Sequence, residues 1–284
     1  MAITFEQVDF IYFPKTPFEH LALKDVNVTF EDGKFYGVVG HTGSGKSTLV
    51  QHINALLLPT KGKVKVNGLE IINNKKSVDF KKIRKTCGLV FQFPEYQLFE
   101  ETVLKDVMFG PKNFKFSEDD SLRFAKEALQ TVGIDESLFD KSPFDLSGGQ
   151  KRRVAIAGIL AMNPDVIILD EPTAGLDPVG SKEIMDIFKI LNEKGKTIIL
   201  ITHDMNVVYE YCNKVVVMSN GEIVYQGSKN ELFDDKEKLS SFALKEPDLI
   251  RFKSLLAEKG VNFEKKETYD LDFLISNLLR EVKR

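Results

Sequence analysis

The stretch Gly40-His41-Thr42-Gly43-Ser44-Gly45-Lys46-Ser47 constrains this chain more than any other. It follows the short apolar run Gly37-Val38-Val39. A helical pattern comes next, with Leu49, Val50, Ile53, Leu56 and Leu57 on one face, and Pro59 and Gly62 are expected to end it. Glycines spaced as G-x-x-x-x-G-K-[ST] let the backbone curl until successive N–H groups converge. Such a nest, opening a helix whose dipole adds positive character, holds phosphate oxygens. Lys46 then reaches the outer phosphates of a nucleoside triphosphate, and the Ser47 hydroxyl suits Mg2+. The cradle spans Gly40, His41, Thr42, Gly43, Ser44, Gly45, Lys46, Ser47 and Thr48.

The rest of the chain fits an α/β fold. Short alternating strands are expected up to residue 40, including Ile3-Phe5-Val8-Phe10 and Val26-Val28-Phe30. Val64–Gly68 and Gly88–Phe91 read as further strands, and residues 102 to 161 as helical. Val166–Leu169 and Thr197–Ile201 are continuous apolar strands flanking an amphipathic stretch from Ser181 to Asn192, the mark of a parallel sheet covered on both faces. Asn220-Gly221 joins Val215–Met218 to Ile223–Tyr225 as a hairpin. Beyond Ser228 the sequence turns charged and helical.

Composition narrows the options. The 284 residues, 43% of them hydrophobic, can bury one large domain or a domain plus an appendage. A net charge of −3 is unlike the strongly basic balance of a nucleic-acid binder and argues against charge steering to DNA or RNA. Cys87 and Cys212 are too few for a disulfide framework or zinc site and are expected to be buried and reduced. Met1–Glu6 lacks the basic start and apolar run of a secretory signal, and no apolar run approaches the roughly 20 residues of a membrane-spanning helix. Work at a membrane would therefore need another chain to hold this one there.

Two further motifs carry chemistry. The strand Val166–Leu169 ends in Asp170-Glu171, where Asp170 suits Mg2+ and Glu171 suits a general base for an attacking water. Leu146-Ser147-Gly148-Gly149-Gln150 opens a helix with a second anion nest. One nucleotide does not need two nests from one chain, so this one is expected to face the nucleotide of another subunit.

With that signature the chain resembles the ABC ATPase family over residues 1 to about 228. Gln92 matches the family's Q-loop, Asp177 its D-loop and His203 its switch histidine. Tyr12 matches the aromatic that stacks on adenine, although Phe13 and Phe18 compete for that place. The family's second position after the signature's glutamine is often Gln, where this chain has Arg152; Arg84, Arg152 and Arg153 read as surface or structural. The resemblance implies a phosphate-loop (RecA-like) core with an antiparallel β subdomain, a helical subdomain inserted at about 93–163, and a C-terminal helical extension over 229–284. ATP and Mg2+ are the implied cofactors. Catalysis would fall to Lys46, Gln92, Glu171 and His203, and Mg2+ to Ser47, Gln92 and Asp170. Ser147, Gly148, Gly149, Gln150 and Asp177 would reach the nucleotide across a head-to-tail pair.

The wording Phe91-Gln92-Phe93-Pro94-Glu95-Tyr96-Gln97-Leu98-Phe99, followed by Phe109-Gly110-Pro111, is similar to the ATP-binding subunits of energy-coupling factor transporters, in particular the second of their two paralogous types, which are related to cobalt importer ATPases. Phe93, Tyr96, Leu98 and Phe99 would form an aromatic contact for a membrane partner, with Phe99 and Phe109 also fitting a subdomain core. Leu271, Leu274, Leu278 and Leu279 would suit pairing of the two ATPases or an internal core. The implied partners are a paralogous ATPase, a transmembrane coupling protein and small integral substrate-capture proteins for vitamins or transition-metal ions, with no nucleic acid. Localisation would be peripheral, on the cytoplasmic side of a prokaryotic cell membrane, through partners only. A conventional ABC transporter motor and a non-transport nucleotide clamp are the rival readings; intact Lys46, Asp170, Glu171 and His203 weigh against the clamp.

Overall fold

The computed structural model describes residues 3–261 and 271–282. Met1 and Ala2 of the N-terminal segment lie outside the described residues, as do the side chains of Leu271 and Leu274.

The early alternation becomes β1 (Ile3–Tyr12), which pairs antiparallel with β2 (His20–Phe30) and β4 (Lys61–Val66); β4 also pairs with β5 (Leu69–Ile71). A second, six-stranded sheet contains β3 (Phe35–Val39), β6 (Cys87–Val90), β7 (Val166–Asp170), β8 (Thr197–Ile201), β9 (Lys214–Ser219) and β10 (Glu222–Ser228), in the order β10-β9-β3-β8-β7-β6. Its neighbours are parallel except for the β9–β10 hairpin. Asn220 and Gly221 turn that hairpin with φ of 49° and 80°, the double positive φ that such a tight turn requires.

The period of two decides what each face meets. Phe35, Ile167, Leu169, Ile198, Leu200, Val215 and Val217 face one apolar core. Tyr36, Ile168, Ile199, Ile201, Val216 and Met218 face the other, shared with the antiparallel sheet and with α1 (Lys46–Ile53). Residues 198–201 are almost wholly buried, so β8 has no polar face to alternate, and each of its side chains contributes about 1.5–3 kcal/mol. The first core also takes in α3 (Val103–Asn113), α4 (Glu118–Thr131), α5 (Gly148–Leu160), α6 (Pro178–Glu193) and α7 (Met205–Tyr211). A short α2 (Phe80–Thr86) precedes β6. After β10 come α8 (Lys229–Phe233), α9 (Lys236–Ser241), α10 (Asp248–Glu258) and α11 (Leu271–Val282). Leu279 is exposed and Leu278 half-buried.

The helix after the glycine loop stops earlier than expected. α1 ends at Ile53, because Ala55 turns left-handed (φ 55°) and Leu56 and Leu57 both donate back to the Gln51 carbonyl. Leu56 is consequently exposed instead of lying on the buried face. Both cysteines are buried and unbonded. Among the described residues no helix is long and apolar enough to cross a membrane.

Candidate functional site

Two close approaches fix the glycine loop. Gly40 carries φ of 147°, and a Cβ there would lie 2.2 Å from the Met218 carbonyl oxygen. Gly45 opens α1 with φ of 102°, and its Cβ would stand 2.7 Å from the Ala22 carbonyl oxygen of β2. No other residue fits either place. Gly221 of the hairpin crowds the same Ala22 carbonyl; its N–H donates to Ser44 (3.1 Å), and its own carbonyl accepts from Lys24 (2.9 Å). Loop, hairpin and β2 therefore lock together around one peptide.

Lys46 folds back over the loop, its Nζ donating to the carbonyls of Gly40 (2.9 Å) and His41 (2.8 Å). Burial pushes its ammonium below the ordinary lysine value, and the charges of Glu171 and Asp170 oppose that shift. Phosphate oxygens are stronger acceptors than those two carbonyls. The Ser47 hydroxyl lies beside the Asp170 carboxylate at the end of β7 and lowers its pKa. Burial raises the Asp170 carboxyl from its ordinary value and the charge of Glu171 adds to that, while the Ser47 hydroxyl and Lys46 pull it back. A hydroxyl and a carboxylate form a hard-oxygen pair that matches Mg2+. Among the described residues no group of three or more His, Cys, Asp or Glu could hold a metal.

Glu171 sits in the left-handed region with φ of 50°, unusual for a non-glycine and of the kind found at strained functional turns. Its N–H donates to Ile201 (3.1 Å), the residue paired with Asp170 across β7 and β8. That register brings Glu171 beside His203, two residues past the end of β8. Glu171 Oε1 lies 2.8 Å from His203 Nδ1, the carboxylate half-buried and the imidazole exposed. Gln92 is exposed just beyond β6.

Tyr12, His20, Ala22, Gly43, Gly45, Lys46, Ser47 and Thr48 line one open cleft of about 250 Å³ beside the loop. The Tyr12 hydroxyl is 3.2 Å from Thr48 Oγ1, and its ring packs edge-on against Phe10. Phe13 and Phe18 are exposed and do not line this cleft. His20 and Ala22 were not singled out in the sequence; the pairing of Tyr12 with His20 across β1 and β2 is the signal that places them there. A larger cleft of about 400 Å³, lined by Leu176, Met185, Val207 and Tyr211 among others, contains no phosphate nest. Chemistry rather than volume identifies the site.

The second nest stands apart from the first. Ser147 caps α5, accepting from the Gln150 N–H at 3.3 Å, while the Gln150 side chain accepts from the Ser147 N–H at 3.0 Å. Gly148 and Gly149 are exposed, and a Cβ on either would meet nothing within 4 Å. Asp177 caps α6, accepting from the Gly180 N–H at 2.7 Å. In the Q-loop segment Phe93, Tyr96 and Phe99 are exposed, Tyr96 by 85%, and Phe99 stacks edge-on against the half-exposed Phe109. Leu98 departs from the expected contact: it is buried under that turn, in the core with Val103 and Val107. Of the two readings for Arg152, surface or structural, the structure has the second, since it is only 3% exposed.

A phosphate nest at the end of β3, an acid pair closing β7 and a separate open nest on α5 together define an ATPase cassette. Residues 23–174 match the family model described as ABC transporter, and the chain belongs to that family. The energy-coupling factor transporter ATP-binding protein EcfA2 of Streptococcus pneumoniae is 53% identical over 265 residues, 93% of this chain and 95% of that protein. Its namesake in Enterococcus faecalis is 50% identical over 284 residues, 100% of this chain and 98% of the relative. The structure of cbiO1 from Clostridium perfringens, part of the ABC transporter complex cbiONQ, superposes with a TM-score of 0.74 and 39% identity, covering 90% of this chain and 98% of that one. A dimeric ATP-binding cassette in a post-hydrolysis state bound to ADP and Pi gives 0.69 and 33%, covering 80% and 98%. The chain is an ATP-hydrolysing cassette of the energy-coupling factor type.

Proposed function

We propose that this chain pairs head to tail with a paralogous ATPase on a transmembrane coupling protein, driving uptake of vitamins or transition-metal ions delivered by exchangeable small integral proteins. It sits at the cytoplasmic face of the membrane, held there by its partners. The observation that carries this reading is the open nest of Gly148 and Gly149, both exposed, where an added Cβ would meet no described atom within 4 Å.

Each bound ATP lies between two chains. Tyr12 stacks on the adenine, while Gly40 to Thr48 wrap the phosphates and Lys46 exchanges its carbonyl acceptors for phosphate oxygens. Ser147, Gly148, Gly149, Gln150 and Asp177 reach the nucleotide of the partner. Ser47, Asp170 and Gln92 would hold Mg2+, which would supply charge neutralisation to the phosphates. Glu171, oriented by its 2.8 Å bond to His203, accepts a proton from the water attacking the terminal phosphate, and ADP leaves. The exposed turn at Phe93, Tyr96 and Phe99 receives the coupling protein, as aromatic anchors do at protein interfaces.

Tagged protein recovered from native membranes, with its companions identified by mass spectrometry, tests the assembly. The expected set is a second ATPase, one coupling protein and several different small membrane proteins. A single dedicated permease pair would overturn it in favour of a conventional ABC transporter.

A further inference from the structure

Arg152 ties its own helix to two other segments of the chain. From the first turns of α5 its Nε and Nη2 donate to both carboxylate oxygens of Glu95, at 3.0 and 2.8 Å. Its Nη1 donates to the carbonyls of Pro172 (3.3 Å) and Ala174 (2.7 Å), just past Glu171. Its guanidinium lies over the Phe93 ring, 5.6 Å from the centroid, and that ring in turn comes 3.7 Å from where a Cβ on Gly175 would stand. Glu95 is itself largely buried, and the pairing with Arg152 holds its carboxyl low against the opposing effect of burial.

A flat fork with five donors is the only side chain that can grip a carboxylate on one edge and two carbonyls on the other. Its neighbour Arg153 shows the contrast: it ties α5 to the Val132 carbonyl and to Glu183, reaching neither the turn at Glu95 nor the segment after Glu171.

We infer that Arg152 is a positioning residue of the ATPase reaction, joining the signature helix, the turn at Phe93–Glu95 and the loop that carries Glu171. A shift of the aromatic turn is passed through Glu95 and Arg152 to the backbone behind Glu171, and the signature nest moves with it. Arg152 contacts no part of the phosphate loop, so its loss lowers turnover while leaving nucleotide affinity alone. The inference rests on Glu171 as the general base.

The test uses the assembled transporter complex carrying Arg152→Gln, Glu95→Gln, the double substitution, Arg152→Lys and, in parallel, Glu171→Gln. Either single Gln substitution leaves a buried group without its partner and lowers the melting temperature; the double removes both charges and is expected to regain much of it. ATP hydrolysis by the double variant is expected to stay at least tenfold below wild type in kcat, with KM for ATP within about twofold. Arg152→Lys is expected to fail likewise, since a single ammonium cannot span both sides. Recovery of kcat in step with the melting temperature would make the pair a stability element and overturn the inference, as would a raised KM at unchanged kcat. Wild-type turnover by Glu171→Gln would instead remove the general-base assignment, whatever the Arg152 variants do.

Discussion

Replacing Gly149 by Ala should move stability and activity in opposite directions. Gly149 is the second residue of α5, with no positive φ to preserve, and an added methyl would meet nothing within 4 Å of its own chain. With neither strain nor clash, the substitution restricts the unfolded chain and favours the helix by about 0.4–1 kcal/mol. For a domain of this size that raises the melting temperature by roughly 1–4 °C. The same methyl projects from the nest toward the space assigned to the partner's nucleotide, where backbone N–H groups must come within hydrogen-bond distance of phosphate oxygens. Losing one such donor contact in a closed site costs roughly 10²- to 10³-fold in turnover. Thermal melts of the isolated chain without nucleotide, beside steady-state hydrolysis by the assembled complex, measure the two effects. A more stable protein with wild-type hydrolysis would show that the nest faces no nucleotide. A less stable one would refute the reading of open space around Gly149.

Other substitutions probe the remaining parts. Glu171→Gln should retain ATP binding and lower turnover by about 10²–10⁴-fold, read by equilibrium binding and phosphate release. Tyr12→Ala should cost about 1–3 kcal/mol of base stacking in ATP affinity, while Phe13→Ala, outside the cleft, should cost little; titration with a fluorescent ATP analogue separates them. His52 is fully buried, its Nδ1 2.7 Å from the Thr48 carbonyl oxygen, and burial pushes its pKa down to about 4. A lowered folded value means the unfolded chain takes up the proton first, so stability present above pH ~6.5 is lost as pH falls toward 4, on the order of 3 kcal/mol. Denaturant midpoints of His52→Phe should be flatter across that window than those of the wild type.

How much could be read in advance depended on how local each signal was. The phosphate loop, the acid pair and the Asn220-Gly221 hairpin are written in contiguous residues, although the Met218 carbonyl that crowds Gly40 and the Ala22 carbonyl that crowds Gly45 and Gly221 are not among their sequence neighbours. The parallel strands were legible because β7 and β8 are apolar on both faces. Which of Tyr12, Phe13 and Phe18 faces the cleft was not, since irregular register between β1 and β2 decides it. The end of α1 was hidden by the left-handed turn at Ala55, a residue type that rarely signals one. Leu98 sits in an aromatic turn but packs inward against α3, which its neighbours in sequence do not reveal. Arg152 was opaque for another reason: Glu95, the residue that makes sense of it, lies 57 positions away.

The junction where Gly45 and Gly221 close on the Ala22 carbonyl has a kinetic consequence. β2 pairs with the strand that carries Tyr12, so the proposed seat for the base and the cradle for the phosphates would share one frame before any nucleotide arrives. Capture would then ask little of the protein beyond the exchange of Lys46's carbonyl acceptors for phosphate oxygens, and its rate would be set chiefly by encounter and orientation. On the proposed reading, delay in the cycle would belong instead to events between chains, when the open nest on α5 meets its occupied counterpart and later lets it go.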